Sequence, residues 1–265
     1  MLRMIFITLT ALLLGYLSVC VLLYVTQDTS IFFPGPNNPQ LRQQQQSNRI
    51  EIPVAGATLE GWWVENPKAN NKTAILYFGG NAEDVLYSAS TLPQFNARHM
   101  LVVNYRSYGG STGKPGQQAL YEDGLATFDY LIERGVAPQH IVVMGRSLGS
   151  GIAAMIAATR PVRAAILITP FDSLASVAAH HYPWLPIRVL LKHPFPSIEW
   201  AKKTHAPALF IAAAEDNIVP ASHAQKLFDA WQGKKWIHIL PGTGHNDIES
   251  HPDYYPLINE FLKNN

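Results

Sequence analysis

The stretch Ile141-Val142-Val143-Met144-Gly145-Arg146-Ser147-Leu148-Gly149-Ser150-Gly151 decides the fold. Its first four residues are apolar and mostly β-branched, which is typical of a buried strand. A Gly-x-Ser-x-Gly turn follows, and the small residues after it predict a closely packed helix. A direct turn from strand to helix strains the central residue, and glycines on both sides let neighbouring backbone segments approach. We therefore expect Ser147 at a sharp turn, with its hydroxyl directed at open space.

Short apolar runs recur along the rest of the chain at lengths typical of strands. Two of them alternate around Gly56 and predict an antiparallel hairpin at residues 49–54 and 59–64. Further buried strands are predicted at residues 73–78, 100–104, 164–168, 208–212 and 236–240. Helical stretches, among them one reaching residue 97 and one at residues 117–134, separate several of them. The alternation predicts an α/β fold with a mostly parallel sheet and helices on both faces.

Two later strands end in residues that would complete a nucleophilic site. A serine hydroxyl is a weak nucleophile until a base takes its proton, and the base works best when an acid orients it. His245 lies in a glycine-rich turn after the last predicted strand, and Asp216 follows the strand before it. The chain order Ser147, Asp216, His245 is typical of this kind of serine turn. Glu215 and Asp172 are the reserve candidates for the acid.

The oxyanion formed during acyl transfer needs hydrogen-bond donors, usually two backbone N–H groups. The N–H of Leu148, directly after Ser147 and at a helix start, is the first candidate. The second is the N–H of Asn81, in the loop Gly79-Gly80-Asn81, because small residues there let the backbone approach a substrate. A simple turn asparagine is the alternative interpretation of Asn81.

Composition and spacing argue against several other classes of protein. The net charge of +1 gives no reason to expect a nucleic-acid partner. No histidine, cysteine or carboxylate cluster has metal-ligand spacing, so we expect neither a metal nor a cofactor. Cys20 is the sole cysteine, which excludes an intrachain disulfide. Five further histidines lie in helical or cap-like surroundings and are interpreted as structural or solvated: His180, His181, His205, His223 and His251.

The amino-terminal segment predicts a membrane anchor. Residues 4–25 carry no charge, and at about 1.5 Å per residue they can cross a hydrocarbon core of about 30 Å. A cleaved signal peptide and a lipoprotein signal are the alternatives. Cleavage needs a shorter apolar core with small residues after it, and Val19 is bulky for a lipobox at Cys20. Arg3 precedes the span, so the positive-inside rule places the remaining chain on the non-cytoplasmic side, periplasmic in a bacterium.

These features predict three segments. Residues 1–25 form the anchor, residues 26–48 a linker rich in Pro, Gly, Asn and Gln, and residues 49–265 the catalytic domain. Within the domain, the connection at about residues 171–204 is too long for a simple loop and predicts a small cap. The apolar run that starts at Tyr182 is suited to line an acyl pocket or to contact lipid, or else to pack on the domain itself.

Five motifs in this order resemble those of α/β-hydrolase-fold serine hydrolases. The similarity is strongest to a membrane-anchored branch that includes eukaryotic depalmitoylating proteins and uncharacterised bacterial relatives, and it runs from about residue 31 to 261. The motifs are Phe78-Gly79-Gly80-Asn81-Ala82, Asn104-Tyr105-Arg106-Ser107-Tyr108-Gly109, Gly145-Arg146-Ser147-Leu148-Gly149-Ser150-Gly151, Glu215-Asp216-Asn217-Ile218-Val219-Pro220 and Gly244-His245-Asn246-Asp247. The resemblance implies a triad of Ser147, Asp216 and His245, with an oxyanion hole at the amides of Asn81 and Leu148. Relatives commonly have His-Gly where this chain has Phe78-Gly79-Gly80, a departure that bears on that histidine's hydrogen bond but not on the backbone N–H.

The resulting hypothesis is a serine esterase or thioesterase that acts through an acyl-enzyme on a small-molecule or lipid-like ester with an apolar acyl group. The same triad would also serve an amidase or peptidase. A catalytically silent, membrane-tethered interaction module of the same fold is the rival from another class.

Overall fold

The computed structural model describes residues 1–265. Its centre is one eight-stranded sheet in the order β1-β2-β4-β3-β5-β6-β7-β8. The strands are β1 (Arg49–Val54), β2 (Ala57–Glu65), β3 (Ala74–Phe78), β4 (His99–Val103), β5 (Ile141–Arg146), β6 (Ala164–Ile168), β7 (Ala208–Ala213) and β8 (Lys235–Leu240). The β1–β2 and β2–β4 pairs are antiparallel, and every other pair is parallel.

Ten helices accompany the sheet. They are α1 (Leu2–Ile31), α2 (Pro39–Gln44), α3 (Val85–Ser90), α4 (Gln117–Glu133), α5 (Leu148–Thr159), α6 (Leu174–His181), α7 (Ile187–Leu190), α8 (Ser197–Ala201), α9 (Ala221–Ala230) and α10 (Tyr254–Asn264). Short 3-10 turns occur at Gln46–Asn48, Leu92–Gln94, Pro138–His140 and Ile248–Ser250. The predicted fold, a mostly parallel sheet with an apolar helix before it, is confirmed.

The central strands are buried on both faces, which explains their continuous apolar runs. In β3, Leu76 and Phe78 belong to the core that includes buried residues of α4, α5 and α9, whereas Ile75 and Tyr77 belong to the opposite core with α3 and α10. Successive residues of a strand point to opposite faces, so one strand contributes to both cores. All carboxyl ends of the parallel strands meet at one edge, where the candidate site lies.

Helix boundaries differ from the sequence prediction in two places. The helix predicted to reach residue 97 ends at Ser90, and a 3-10 turn containing Pro93 follows it. Proline has no backbone N–H and does not fit a helix interior, so the helix ends before it. The amino-terminal helix continues to Ile31, beyond the apolar residues 4–25, and it is long and apolar enough to span a membrane.

The segment after α1 is fixed on the domain. Phe32 is buried in the larger core, which stabilises the docked segment by about 2 kcal/mol. Arg42 forms an ion pair with Glu60, in which Nη1 donates to both carboxylate oxygens at 2.8 and 2.9 Å. Burial of Glu60 disfavours its charge, but hydrogen bonds from Arg49, the Gly110 amide and Arg42 outweigh burial and lower its pKa. The linker therefore holds α1 in a defined place beside the domain.

The connection between β6 and β7 divides into two parts. Helices α6 and α7 pack against α1, where Cys20, Leu185 and Ile187 form a small buried cluster. Helix α8 instead joins the domain core, since Ser197 and Ala201 are fully buried. We use the name cap for residues 174–192 only.

Candidate active site

Ser147 lies between β5 and α5 in a strained backbone conformation, with φ 49° and ψ −115°. This left-handed region is costly for a non-glycine residue, and the flanking contacts explain how it is maintained. A Cβ added to Gly145 would lie 2.3 Å from the Gly149 carbonyl oxygen, and one added to Gly149 would lie 2.1 Å from that of Phe78. Both positions therefore require glycine, as the close approach predicted from the sequence demands.

The structure brings His245 and Asp216 to Ser147. His245 Nε2 lies 2.9 Å from Ser147 Oγ, and its Nδ1 lies 2.7 Å from Asp216 Oδ2. A carboxylate only accepts hydrogen bonds, so Nδ1 carries the proton and Nε2 is free to accept from the serine hydroxyl. The other oxygen of Asp216 accepts from the backbone N–H groups of Ile218 and Val219 at 2.9 and 2.7 Å. Ser147, His245 and Asp216 thus form one continuous hydrogen-bonded chain.

The two reserve candidates for the acid lie elsewhere. Glu215 is exposed, and its backbone N–H donates to Thr243. Asp172 is buried and pairs with His223 at 2.5 Å instead of with His245. Burial disfavours the charge of Asp172, but hydrogen bonds from His223 and Ser176 outweigh it and lower the pKa of the carboxyl. Asp172 and His223 form a second, separate Asp–His pair.

The loop Gly79-Gly80-Asn81 lies next to the serine, because a Cβ added to Gly80 would be 3.6 Å from Ser147 Cβ. Two tyrosines support this loop: Tyr105 donates to the Gly79 carbonyl, and Tyr108 donates to Asn81 Oδ1, both at 2.6 Å. The side chain of Asn81 is therefore engaged in support of the loop. Its backbone N–H is the group that the sequence assigned to the oxyanion hole.

Leu148 is the first residue of α5, so its N–H has no carbonyl one turn earlier in the helix to bond. The amino-terminal end of a helix also carries a partial positive charge that favours an anion. These two properties suit the Leu148 N–H to the role predicted from the sequence.

Arg146 links the loops around the serine. Its guanidinium donates to Glu83 at 3.2 Å and, through the other nitrogen, to the His245 carbonyl at 3.0 Å and Asn246 Oδ1 at 3.3 Å. Glu83 in turn accepts from the Gly80 N–H at 2.6 Å. Arg146 and Glu83 thus connect the loop Gly79-Gly80-Asn81 with the turn that carries His245.

The Arg146–Glu83 pair is largely shielded from water, with side-chain exposures of 19% and 11%. Tyr77 and Ser88 also donate to Glu83, at 2.7 and 2.5 Å. Burial works against the charge of Arg146, yet Glu83 outweighs it and holds the pKa of the guanidinium above its ordinary value. Sequence reasoning found no role for Arg146 and missed Glu83, because the partners are 63 positions apart.

Comparison with known proteins gives the family of this arrangement. The sequence model of the dienelactone hydrolase family matches residues 104–256, more than half of the chain. An uncharacterized protein of Mycobacterium tuberculosis is 40% identical over 73% of this chain and 70% of its own length. The human alpha/beta hydrolase domain-containing protein 17B is 30% identical over 73% of this chain and 67% of its own length.

Solved structures share the fold at low sequence identity. An esterase of Pyrococcus furiosus, Pf2001, superposes with a TM-score of 0.68 at 15% identity, covering 88% of this chain and 96% of the esterase. Est1E of Butyrivibrio proteoclasticus with bound ferulic acid gives 0.62 at 17% identity, covering 81% and 96%. With the family match and the relatives, these findings confirm the resemblance predicted from the motifs. The chain belongs to the dienelactone hydrolase family of α/β-hydrolase-fold serine hydrolases.

Proposed function

We propose that the protein cleaves carboxylic ester or thioester bonds through an acyl-enzyme, with Ser147 as nucleophile. One observation carries the proposal: His245 bridges Ser147 Oγ and Asp216 Oδ2 at 2.9 and 2.7 Å. This is the geometry in which an imidazole removes the serine proton while a carboxylate stabilises the charge that develops on the ring. It supports acyl transfer over the silent-module hypothesis, which requires no such alignment.

The reaction has two halves. Ser147 Oγ attacks the acyl carbon as its proton passes to His245 Nε2, and the backbone N–H groups of Leu148 and Asn81 stabilise the oxyanion. The tetrahedral intermediate then expels the alcohol or thiol, which takes the proton from His245. In the second half, water attacks the acyl carbon, His245 accepts its proton, and that proton returns to Ser147 Oγ as the acid leaves.

An apolar acyl group and a membrane location complete the proposal. The exposed cap residues Tyr182, Trp184 and Val189 give the domain an apolar surface beside α1. We propose that α1 anchors the protein and that residues 49–265 act on the non-cytoplasmic side, since Arg3 is the only Lys or Arg before the span.

Labelling with a fluorophosphonate probe tests the nucleophile, because such probes react with an activated serine and not with an unactivated one. We expect the full-length protein in detergent or lipid to label, and the Ser147→Ala variant to remain unlabelled. Ser150→Ala is the matched control, since its hydroxyl lies one turn along α5 and donates to the Ser147 carbonyl at 2.6 Å. An unlabelled wild-type protein, or equal labelling of Ser147→Ala, would favour the silent module.

A further inference from the structure

An apolar groove runs between the carboxyl-terminal half of α1 and the cap. Its volume is about 390 Å³, within the usual range for small-molecule sites, and ten of its twelve lining residues are hydrophobic. Leu23 and Ile31 contribute from α1, while Tyr182, Leu185 and Leu190 contribute from the cap. A site with so few polar groups suits a hydrocarbon chain and not a charged metabolite.

Specific contacts hold the two walls of the groove in register. Only 9% of the surface of Gln27 is exposed, and its side-chain amide donates to the Leu190 carbonyl at 3.0 Å. Its oxygen accepts from the Lys192 N–H at 2.7 Å, and Tyr16 donates to the Trp184 carbonyl at 3.1 Å. A helix that served only as a tether would need none of these contacts.

Both walls continue into loops of the candidate active site. On the α1 side, the Phe33 N–H, two residues beyond Ile31, donates to Asn81 Oδ1 at 2.9 Å. On the cap side, His181 contacts the Ile218 carbonyl at 2.9 Å, and the Ile218 N–H is a donor to Asp216. The groove therefore lies between the segments that position the oxyanion loop and the acid.

The length of α1 places the groove at the membrane surface. Its 30 residues extend about 45 Å, whereas a bilayer core is about 30 Å thick. Counted from Met4, about 20 residues cross the core, so about eight residues at the end of α1 project beyond it, and the groove-lining positions from Val19 to Ile31 straddle its boundary. Trp184 at the cap surface and the nearby cations Arg188 and Lys192 match the side chains that favour this boundary.

We propose that this groove binds the acyl chain of an ester that resides in the bilayer, so that α1 is at once the anchor and one wall of the substrate site. The inference rests on the proposed function and names its substrate class. The chain would enter from the membrane near Val19 and run along the groove for about 18 Å, the length of twelve helical residues, towards the oxyanion loop.

Two adjacent alanines of α6 allow a matched test with the full-length protein in lipid nanodiscs. Ala178 lines the groove, whereas the neighbouring Ala179 is exposed and does not. Rates for p-nitrophenyl acetate and p-nitrophenyl palmitate, expressed per site labelled by a short fluorophosphonate, give a long-to-short ratio of kcat/KM. We expect Ala178→Phe to lower this ratio about tenfold or more, because the new ring occupies space for the chain. Ala179→Phe should keep the wild-type ratio, and equal ratios in the two variants would overturn the proposal.

A binding measurement separates the groove from the chemistry. In the Ser147→Ala background, a palmitic acid analogue with a photoreactive terminal group should cross-link to residues 182–191, and the additional Ala178→Phe substitution should reduce that cross-linking. If cross-linking depends on Ala178 but the wild-type enzyme hydrolyses no ester, the groove stands and the proposed function fails. If esters are hydrolysed without chain preference and cross-linking ignores Ala178, the groove is refuted while the hydrolase remains.

Discussion

Two Asp–His pairs lie at the carboxyl edge of the same sheet. They differ in the partner of the imidazole nitrogen that does not bind the aspartate. Asp216 and His245 come from the loops after β7 and β8, and the ring reaches Ser147 Oγ at 2.9 Å. Asp172 and His223 come from the loop after β6 and from α9, and their contact is shorter, at 2.5 Å, but no serine bonds the ring of His223. A buried Asp–His contact is therefore not by itself a sign of catalysis.

The difference lies in the elements that carry each histidine. His245 sits in a turn beside the serine loop, tied there by the bond from Arg146 to its carbonyl. His223 sits on helix α9, only 2% exposed, and joins that helix to the start of the cap through Asp172. The first pair serves proton transfer in our proposal, and the second fastens the cap to the domain.

Replacing each aspartate by its isosteric amide should separate these roles most strongly. Asp216→Asn is expected to lower kcat/KM about 10²- to 10⁴-fold, because an amide favours the wrong imidazole tautomer and stabilises no charge. Asp172→Asn, with the same change of side chain, should retain kcat/KM for a short ester such as p-nitrophenyl acetate near the wild-type value. Ester hydrolysis per folded molecule is the measurement, and a comparable loss in the two variants would contradict the distinction.

Arg146 offers a smaller effect, because it contacts the histidine turn and, through Glu83, the loop Gly79-Gly80-Asn81. Arg146→Gln removes the link from Glu83 to the histidine turn, and we expect kcat to fall about 10- to 100-fold with a smaller change in KM, since a shift near 1 Å is costly for catalysis. Arg160→Gln is the matched control, because Arg160 pairs with Asp129 at 3.1 Å on the surface.

Partial rescue by Arg146→Lys would identify Arg146 as a positioning residue, since lysine keeps the charge but not the two-sided hydrogen bonding. A pH profile of kcat should show a shifted limb in Arg146→Gln, because the environment of His245 changes. If Arg146→Gln only lowers thermal stability and leaves kcat and its pH profile intact, the pair is merely structural.

The sequence predicted most of this architecture because its signals are local. Apolar runs predict central strands that are buried on both faces, and the glycines around Ser147 mark backbone contacts as close as 2.1 Å. The choice of Asp216 over Glu215 and Asp172 rested on its position at a strand end and on chain order. The structure shows why order was needed: Asp172 also meets a buried histidine, and only the three-dimensional course of the loops decides which one.

What the sequence could not predict are contacts between distant segments. Arg146 and Glu83 are 63 positions apart, and neither has a neighbour in sequence that hints at the other. The groove joins α1 to a cap more than 150 positions away, and each wall alone resembles an ordinary apolar helix. Such sites arise from packing, which a pattern along the chain does not encode.

The smallest expected effect concerns the Asp172–His223 pair, its contribution to stability and the dependence of that contribution on pH. The pKa of Asp172 is lowered in the folded protein, so its stabilising effect is present above the unfolded value of about 3.9 and is lost as the pH falls through the folded value. Asp172→Asn should therefore lower the free energy of unfolding by about 2 kcal/mol at neutral pH. The difference in Tm between wild type and variant should shrink as the pH is taken below about 4.

Other carboxyls also take up protons as the pH falls, among them Glu249, whose pKa is raised by burial. They are common to both proteins, so the difference in Tm isolates the contribution of Asp172. Calorimetry of the two proteins between neutral pH and pH of about 3 provides the measurement. A difference that stays constant, or grows, as the pH falls would mean that the Asp172 carboxylate does not fasten the cap, and the contrast between the two pairs would then rest on the serine alone.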